Sequence, residues 1–228
     1  EKNLLQRSSH DRVPRFRLLE STRDYARARL ASDFTGSDAR ARHTAWHEAT
    51  ALELAARLGG PQQREAQARL AAMHGDIVAA MGYLEQSGEA DRGLRLAADL
   101  FWYWYRSGRF RAGREWTRRF MDSCGREDLR CRGLLCIGMM TAFLGEWRRS
   151  TEVLARCVAA SEQLGDVKTR IRALGYAGVF RRWLGGSEEG WRLQDASLAL
   201  ARSLNDRETL TRALVLACCT CGGEFPGP

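Results

Sequence analysis

The 228 residues include 44% hydrophobic and 28% charged side chains with only 4 prolines, above the hydrophobicity floor of disordered chains and long enough to bury a core as one large or two small domains. The longest uncharged apolar stretches fall well short of the roughly 20 residues a membrane helix needs, and no apolar signal segment follows the amino terminus, so a soluble, unexported protein is expected. Seven cysteines (Cys124, Cys131, Cys136, Cys157, Cys218, Cys219, Cys221) are an odd number in a chain too large to need a disulfide scaffold, which points to a reducing cytoplasm.

The formal charge is +8, and of the 36 basic residues only Lys2 and Lys168 are lysine. GC-rich coding produces that bias, and a bacterial genome is expected. The chain starts at Glu1 and runs from a helical pattern into Cys218-Cys219-Thr220-Cys221 and a tail with Gly and Pro. Both ends are expected to be cuts through a longer protein.

In chain order, Arg15-Phe16-Arg17-Leu18-Leu19 alternates like a short strand after Pro14, and Glu20-Ser21-Thr22 leads into a helical run from Arg23 to Leu30. Ser32 to Asp38, with Gly36, reads as a loop. Ala39 to Leu58 reads as a long amphipathic helix stopped by Gly59-Gly60-Pro61, and two helices follow, Gln62 to Met73 and Asp76 to Gln86.

A repeat governs the remainder. The segment from Arg132-Gly133-Leu134 to Leu144-Gly145 returns 40 residues later as Arg172-Ala173-Leu174 to Leu184-Gly185, and its opening returns again as Arg212-Ala213-Leu214. Leu164-Gly165-Asp166 likewise recurs as Leu204-Asn205-Asp206, and a diverged copy runs from Leu94 through Ser107-Gly108 to Cys124, its turn glycine 37 residues before Gly145. A period near 40 without strand signals predicts stacked helix hairpins, each split at its central glycine. Gly138 and Gly178 share one place in their units, and Gly113, Ser150 and Gly190 another; such small-residue columns let helix backbones approach closely. Charge is uneven: residues 33 to 91 carry five basic and nine acidic side chains, residues 92 to 132 eleven and five.

The string from Arg15 to Leu30 resembles the end of the winged-helix segment of bacterial STAND-type (NB-ARC-like) signal-transduction ATPases, a group that includes LuxR- and SARP-type transcriptional regulators. Arg42-His43, the Ala68-Arg69-Leu70 to Asp76 segment and the aromatic run Leu100-Phe101-Trp102-Tyr103-Trp104-Tyr105 are similar to the same family, and from Leu94 onward the units resemble lengthened tetratricopeptide repeats. The resemblance implies an all-α chain: a right-handed α-α superhelix (a TPR-like solenoid) behind a short winged-helix remnant. The corresponding domains are residues 1–32 as the end of the winged helix, 33–91 as connecting helices, and 92–228 as repeats near 92–128, 129–166, 167–206 and a partial 207–221. ATP and magnesium are expected for the parent protein but no cofactor for this chain, because it holds no G-x-x-x-x-G-K-[ST] phosphate loop.

Other chemical constellations are weak. His43 and His47 stand four apart on a predicted helix, but the sequence offers no third zinc ligand and does not complete H-E-x-x-H, so surface or packing roles are expected and no metal site. Cys218-Cys219-Thr220-Cys221 has no second cysteine pair at zinc-finger spacing. All four histidines precede residue 75 and all cysteines follow residue 123, so no catalytic set is suggested, and Glu188-Glu189 splay apart on a helix. The cluster Arg106, Arg109, Arg111, Arg114, Arg118 and Arg119 reads as solvated stems with the acidic 33–91 stretch as an intramolecular partner rather than as a DNA contact.

These readings combine into an expectation of a non-enzymatic interaction module, the effector-sensing arm of an ATP-dependent bacterial transcriptional regulator. The repeat register puts Arg95, Trp102, Tyr105, Arg132, Met139, Arg172 and Arg182 on a concave surface lined by first helices. Expected partners are a protein, a peptide or a small anionic effector, together with the parent's own nucleotide-binding domain; DNA is reached only through domains outside this chain, and no membrane is involved. The rival readings are the sensor arm of a nucleotide cyclase or protein kinase, and direct nucleic-acid binding through the winged-helix remnant and the basic first repeat.

Overall fold

The computed structural model describes residues 5–8, 15–32 and 34–218 and divides into two compact units after Trp46. In the first unit β1 (Leu5–Ser8) pairs antiparallel with β2 (Arg15–Leu18), Leu5 opposite Leu18 and Ser8 opposite Arg15. The second strand lies where alternation predicted it, one residue before α1 (Glu20–Ser32). Pro14 and Asp33 lie outside the described residues.

Helix α2 (Phe34–Arg57) corrects the predicted loop, starting five residues before Ala39 and taking in Gly36. Glycine inside a helix costs only about 1 kcal/mol against alanine. Burial further along the same helix outweighs that cost, since His47, Ala51 and Leu54 repeat at helical spacing and are all buried in the second unit, as is Leu58 just past its end.

The second unit continues with α3 (Gln63–Ala72), α4 (His74–Gln86), α5 (Ala90–Asp99), α6 (Phe101–Arg106), α7 (Phe110–Met121), α8 (Glu127–Phe143), α9 (Trp147–Gln163), α10 (Val167–Trp183), α11 (Ser187–Ser203) and α12 (Arg207–Cys218). From α7 onward each helix packs on the next, and α5, α8, α10 and α12 also touch one another in that order, so the first helices form a continuous row. The hairpins reverse at Gly108, Gly145 and Gly185 with φ of +66°, +83° and +86°. Between hairpins Gly165 at φ +66° is followed 40 residues later by Asn205 at +50°, the other residue type that tolerates this conformation. The aspartate after each starts a helix: Asp166 accepts from the Thr169 amide at 3.0 Å and Asp206 from the Glu208 amide at 3.1 Å.

Where small residues were expected to draw helices together, they do. Ser150 Oγ donates to the Gly138 carbonyl at 2.7 Å, and a Cβ built on Gly178 would lie 2.7 Å from the Gly190 carbonyl oxygen. One buried cluster runs from Ala51 to Phe180, and a smaller one joins Ile171, Ala201 and Ala213 under α12. The aromatic run supplies core as its continuity implied, with Phe101, Tyr103 and Trp104 buried. The break between α5 and α6 at Leu100 was not anticipated; there the Trp104 indole donates to the Ala97 carbonyl at 2.9 Å, competing for an acceptor of the helical ladder. No described helix is long and apolar enough to cross a membrane.

Candidate functional site

The row of first helices and α6 border an open cavity of about 300 Å³ lined by four of the seven residues that the register singled out, Trp102, Tyr105, Met139 and Arg172. Helix α6 contributes Phe101, Trp102 and Tyr105, α8 Met139 and Phe143, α10 Arg172 and Tyr176, and α12 closes the far side with Thr211, Arg212, Val215 and Leu216. The aromatic walls brace one another: Tyr105 and Phe143 centroids are 4.7 Å apart, Phe110 and Phe143 stack at 5.1 Å, and Trp102 meets Tyr105 edge-on at 5.7 Å.

The remaining three predicted residues lie elsewhere. Arg132 borders a neighbouring cavity of about 90 Å³ that shares Phe101, Trp102 and Arg172 with the first, and it pairs with Asp99. Arg95 is exposed and faces the same Asp99 at 3.9 Å. Arg182 lies over the Trp191 ring at 3.6 Å and donates to Gln194 at 3.2 Å, on the side of α10 that packs against α11. It stands ten residues beyond Arg172, which at 3.6 residues per turn is about 80° away around the helix.

The sequence reading missed Phe143, Tyr176 and Leu216. Tyr176 and Leu216 are four residues beyond Arg172 and Arg212, the same helix face one turn on, and that column was the available signal.

The site is cationic. Arg95, Arg132, Arg172 and Arg212 follow one another closely enough that each perturbs the next. Burial holds Arg132 below the ordinary guanidinium value, with Arg95 and Arg172 adding to it; burial does the same at Arg172, with Arg212 contributing. Counter-charges are shared unequally, since Asp99 serves Arg95 and Arg132 and Glu208 holds Arg212 at 2.6 Å. Among the described residues no carboxylate pairs with Arg172, whose guanidinium sits 5.4 Å from the Phe101 ring centroid.

The arginine cluster of the first hairpin is dispersed rather than assembled into one surface. Arg106 lies over Trp102 at 5.7 Å, Arg114 bonds Glu146 at 2.6 Å, and Arg119 lies over Trp116 at 4.7 Å and reaches Glu85 at 3.4 Å. Glu85 belongs to the acidic stretch, as does Glu48, which Arg92 grips with Nε at 3.1 Å and Nη2 at 2.5 Å. A second cavity of about 340 Å³ has Arg114, Arg118, Arg149 and Arg156 on its walls, interleaved with Asp122 and Glu152.

His43 is exposed and His47 buried on α2. Cys124, Cys131, Cys136 and Cys157 are free and buried, and Cys218 is free and exposed; Cys219 and Cys221 lie outside the described residues.

No protein-family model matches the chain. It is 27% identical over 213 residues to candidate HTH-type transcriptional regulators of Mycobacterium tuberculosis (strain ATCC 25618 / H37Rv) and Mycobacterium bovis (strain ATCC BAA-935 / AF2122/97), a span that takes in 88% of this chain and 23% of each relative. The chain therefore spans about a quarter of the length of the curated relatives it matches, and the distant similarity fits a regulatory role.

Proposed function

We propose that this chain is the effector-sensing, helical-repeat segment of a bacterial transcriptional regulator. In this reading the hairpins from α5 onward form a TPR-like, right-handed solenoid, and the β1–β2 hairpin with α1 is the end of a winged helix. The carrying observation is the convergence of four first-helix residues, Trp102, Tyr105, Met139 and Arg172, on one cavity. Sequence similarity to HTH-type regulators supports the regulatory context. The chain itself performs no catalysis in this reading; its parent binds ATP and magnesium outside it and acts in the cytoplasm.

Mechanistically, a ligand between α6, α8, α10 and α12 favours one arrangement of those helices and, through them, one state of the parent. Such a ligand shifts the equilibrium only by its difference in affinity between the two states. Direct nucleic-acid binding through the winged-helix remnant and the basic first repeat has less support, because Arg92, Arg114 and Arg119 of that repeat already hold carboxylates.

The test uses the full-length protein in its own cell. Deleting residues 92–218, or filling the cavity with Met139→Trp, should leave transcription of the regulated gene fixed at one level whatever the inducing condition. Induction that survives both changes would overturn the reading.

A further inference from the structure

The cavity carries more information than its position. At about 30 Å³ per water, and less for each covalently bonded atom, about 300 Å³ accommodates a body of roughly ten to fifteen non-hydrogen atoms. That suits a small molecule. Helix α12 closes the space because its Arg212 turns back toward both the Trp102 ring, at 6.0 Å, and the turn after α2, where a Cβ on Gly59 would sit 2.8 Å from the Arg212 guanidinium.

The repeat register explains why one arginine lacks a counter-ion. Arg132, Arg172 and Arg212 each follow a hairpin whose preceding first helix places a particular residue nine positions before its turn glycine: Asp99 before Gly108, Cys136 before Gly145 and Tyr176 before Gly185. Arg132 therefore meets a carboxylate. Arg172 and Cys136 border a common cavity, and the residue in the place of Asp99 is there a thiol, which accepts from the Thr117 hydroxyl at 3.5 Å and whose pKa burial pushes up to about 11, so it stays neutral. Arg172 also borders the main cavity and a third of about 180 Å³ beside α12, so its fork lies where these spaces meet. A guanidinium is never deprotonated in a protein, and a partly buried cation without a counter-charge is costly.

Resting on the effector-sensing reading, we propose that the cavity binds a small amphipathic monoanion, an aromatic or short acyl carboxylate, with its apolar body among Trp102, Tyr105, Met139 and Phe143 and its carboxylate on Arg172. The ligand supplies the charge that Cys136 does not. A planar carboxylate matches the guanidinium fork in two parallel hydrogen bonds, and the ring walls take a flat body by stacking and edge contacts. Asp99 and Glu208 already hold Arg132 and Arg212, which leaves Arg172 as the cation that meets the ligand. Neutral molecules of the same shape leave Arg172 uncompensated and are rejected.

The experiment is calorimetric titration of the 228-residue chain with 2-naphthoate, with 2-naphthamide as its uncharged counterpart, and with hexaglutamate as an acidic peptide. Naphthoate should bind at least tenfold more tightly than naphthamide, about 1.4 kcal/mol. Arg172→Gln should erase that preference by removing the cation. Cys136→Asp should erase it by installing the counter-ion that Asp99 provides to Arg132, and helical circular dichroism shows that each variant is folded. Equal binding of the two naphthyl probes, binding of neither, tighter binding of hexaglutamate, or an unchanged preference in folded Arg172→Gln would each overturn the proposal. The two readings fail separately: no naphthoate binding with induction still lost in full-length Met139→Trp removes only the ligand class, whereas naphthoate binding with induction intact removes only the regulatory role.

Discussion

Gly178→Ala adds one methyl group where α10 crosses α11. Its Cβ would lie 2.6 Å from Cγ of the buried Gln194 and 2.7 Å from the Gly190 carbonyl oxygen, which moves only if the helices part. Forcing an extra carbon into a packed contact costs about 1 to 3 kcal/mol, and replacing a helical glycine by alanine recovers about 1 kcal/mol. The net expectation is a loss of about 0 to 2 kcal/mol. Gly82→Ala isolates the two contributions, because Gly82 lies within α4 with nothing within 4 Å of its hypothetical Cβ, so that variant should gain up to about 1 kcal/mol. Urea unfolding of both variants measures the difference, which should equal the steric cost alone, about 1 to 3 kcal/mol. Equal shifts for the two variants would refute the close backbone approach at Gly178.

Three further outcomes are expected. Glu48→Gln keeps the shape of a buried side chain but removes the charge that Arg92 grips at 2.5 and 3.1 Å, and should cost about 1.5 to 3 kcal/mol in urea unfolding; a loss below about 0.5 kcal/mol would show that the α2–α5 pair is solvated. Lys168, at 2.8 Å, and the Thr209 hydroxyl hold half-buried Asp206 down at about pKa 2, so its contribution is complete above its ordinary value of 3.8 and fades as pH falls from about 4 to 2. Urea midpoints of wild type and Asp206→Asn should accordingly differ at pH 5 and converge near pH 2, and a difference unchanged at pH 2 would contradict the assignment. Among the described cysteines, Cys218 alone is exposed, so peptide mapping after brief alkylation should find it labelled while Cys124, Cys131, Cys136 and Cys157 stay intact until denaturant is added; early labelling of Cys136 would mean that the row of first helices opens readily.

What the sequence disclosed was whatever a local period encodes. The 40-residue spacing put the left-handed turns at Gly145 and Gly185, matched Asn205 to Gly165, and set Gly138 and Ser150 in two small-residue columns that meet in the structure. Alternation located β2, but its partner β1 left no such mark, because Leu5-Gln6-Arg7-Ser8 carries one apolar residue in four. The predicted loop at Ser32 to Asp38 failed because a single glycine weighs less than the tertiary burial of the helix it interrupts. Likewise the break at Leu100 depends on where the Trp104 indole finds an acceptor, which no window of residues reveals.

The site divides along the same line. Of its seven residues, register brought Trp102, Tyr105, Met139 and Arg172 to one cavity and left Arg95, Arg132 and Arg182 outside it. It did not reveal closure, which requires α12 to lean back until Arg212 reaches the level of Trp102 and Gly59. Nor did it distinguish the arginines. The equal residues Arg132, Arg172 and Arg212 suggested equal rungs, yet their partners come from the preceding unit, and the first unit runs 37 residues between turn glycines where the next runs 40. Aligned on a period of 40, Asp99 corresponds to Met139; aligned on the turn glycines, it corresponds to Cys136. The second alignment matches Asp99 against Arg132 with Cys136 beside Arg172, whereas Met139, the residue the first alignment offers, borders the main cavity with Arg172. The turn is the fixed point of each hairpin, since the left-handed glycine sets where both helices end and begin, so residues counted from it occupy equivalent space even when the unit length changes. Counted that way, an aspartate-to-cysteine exchange between neighbouring units separates a structural arginine from one with its charge still to be satisfied.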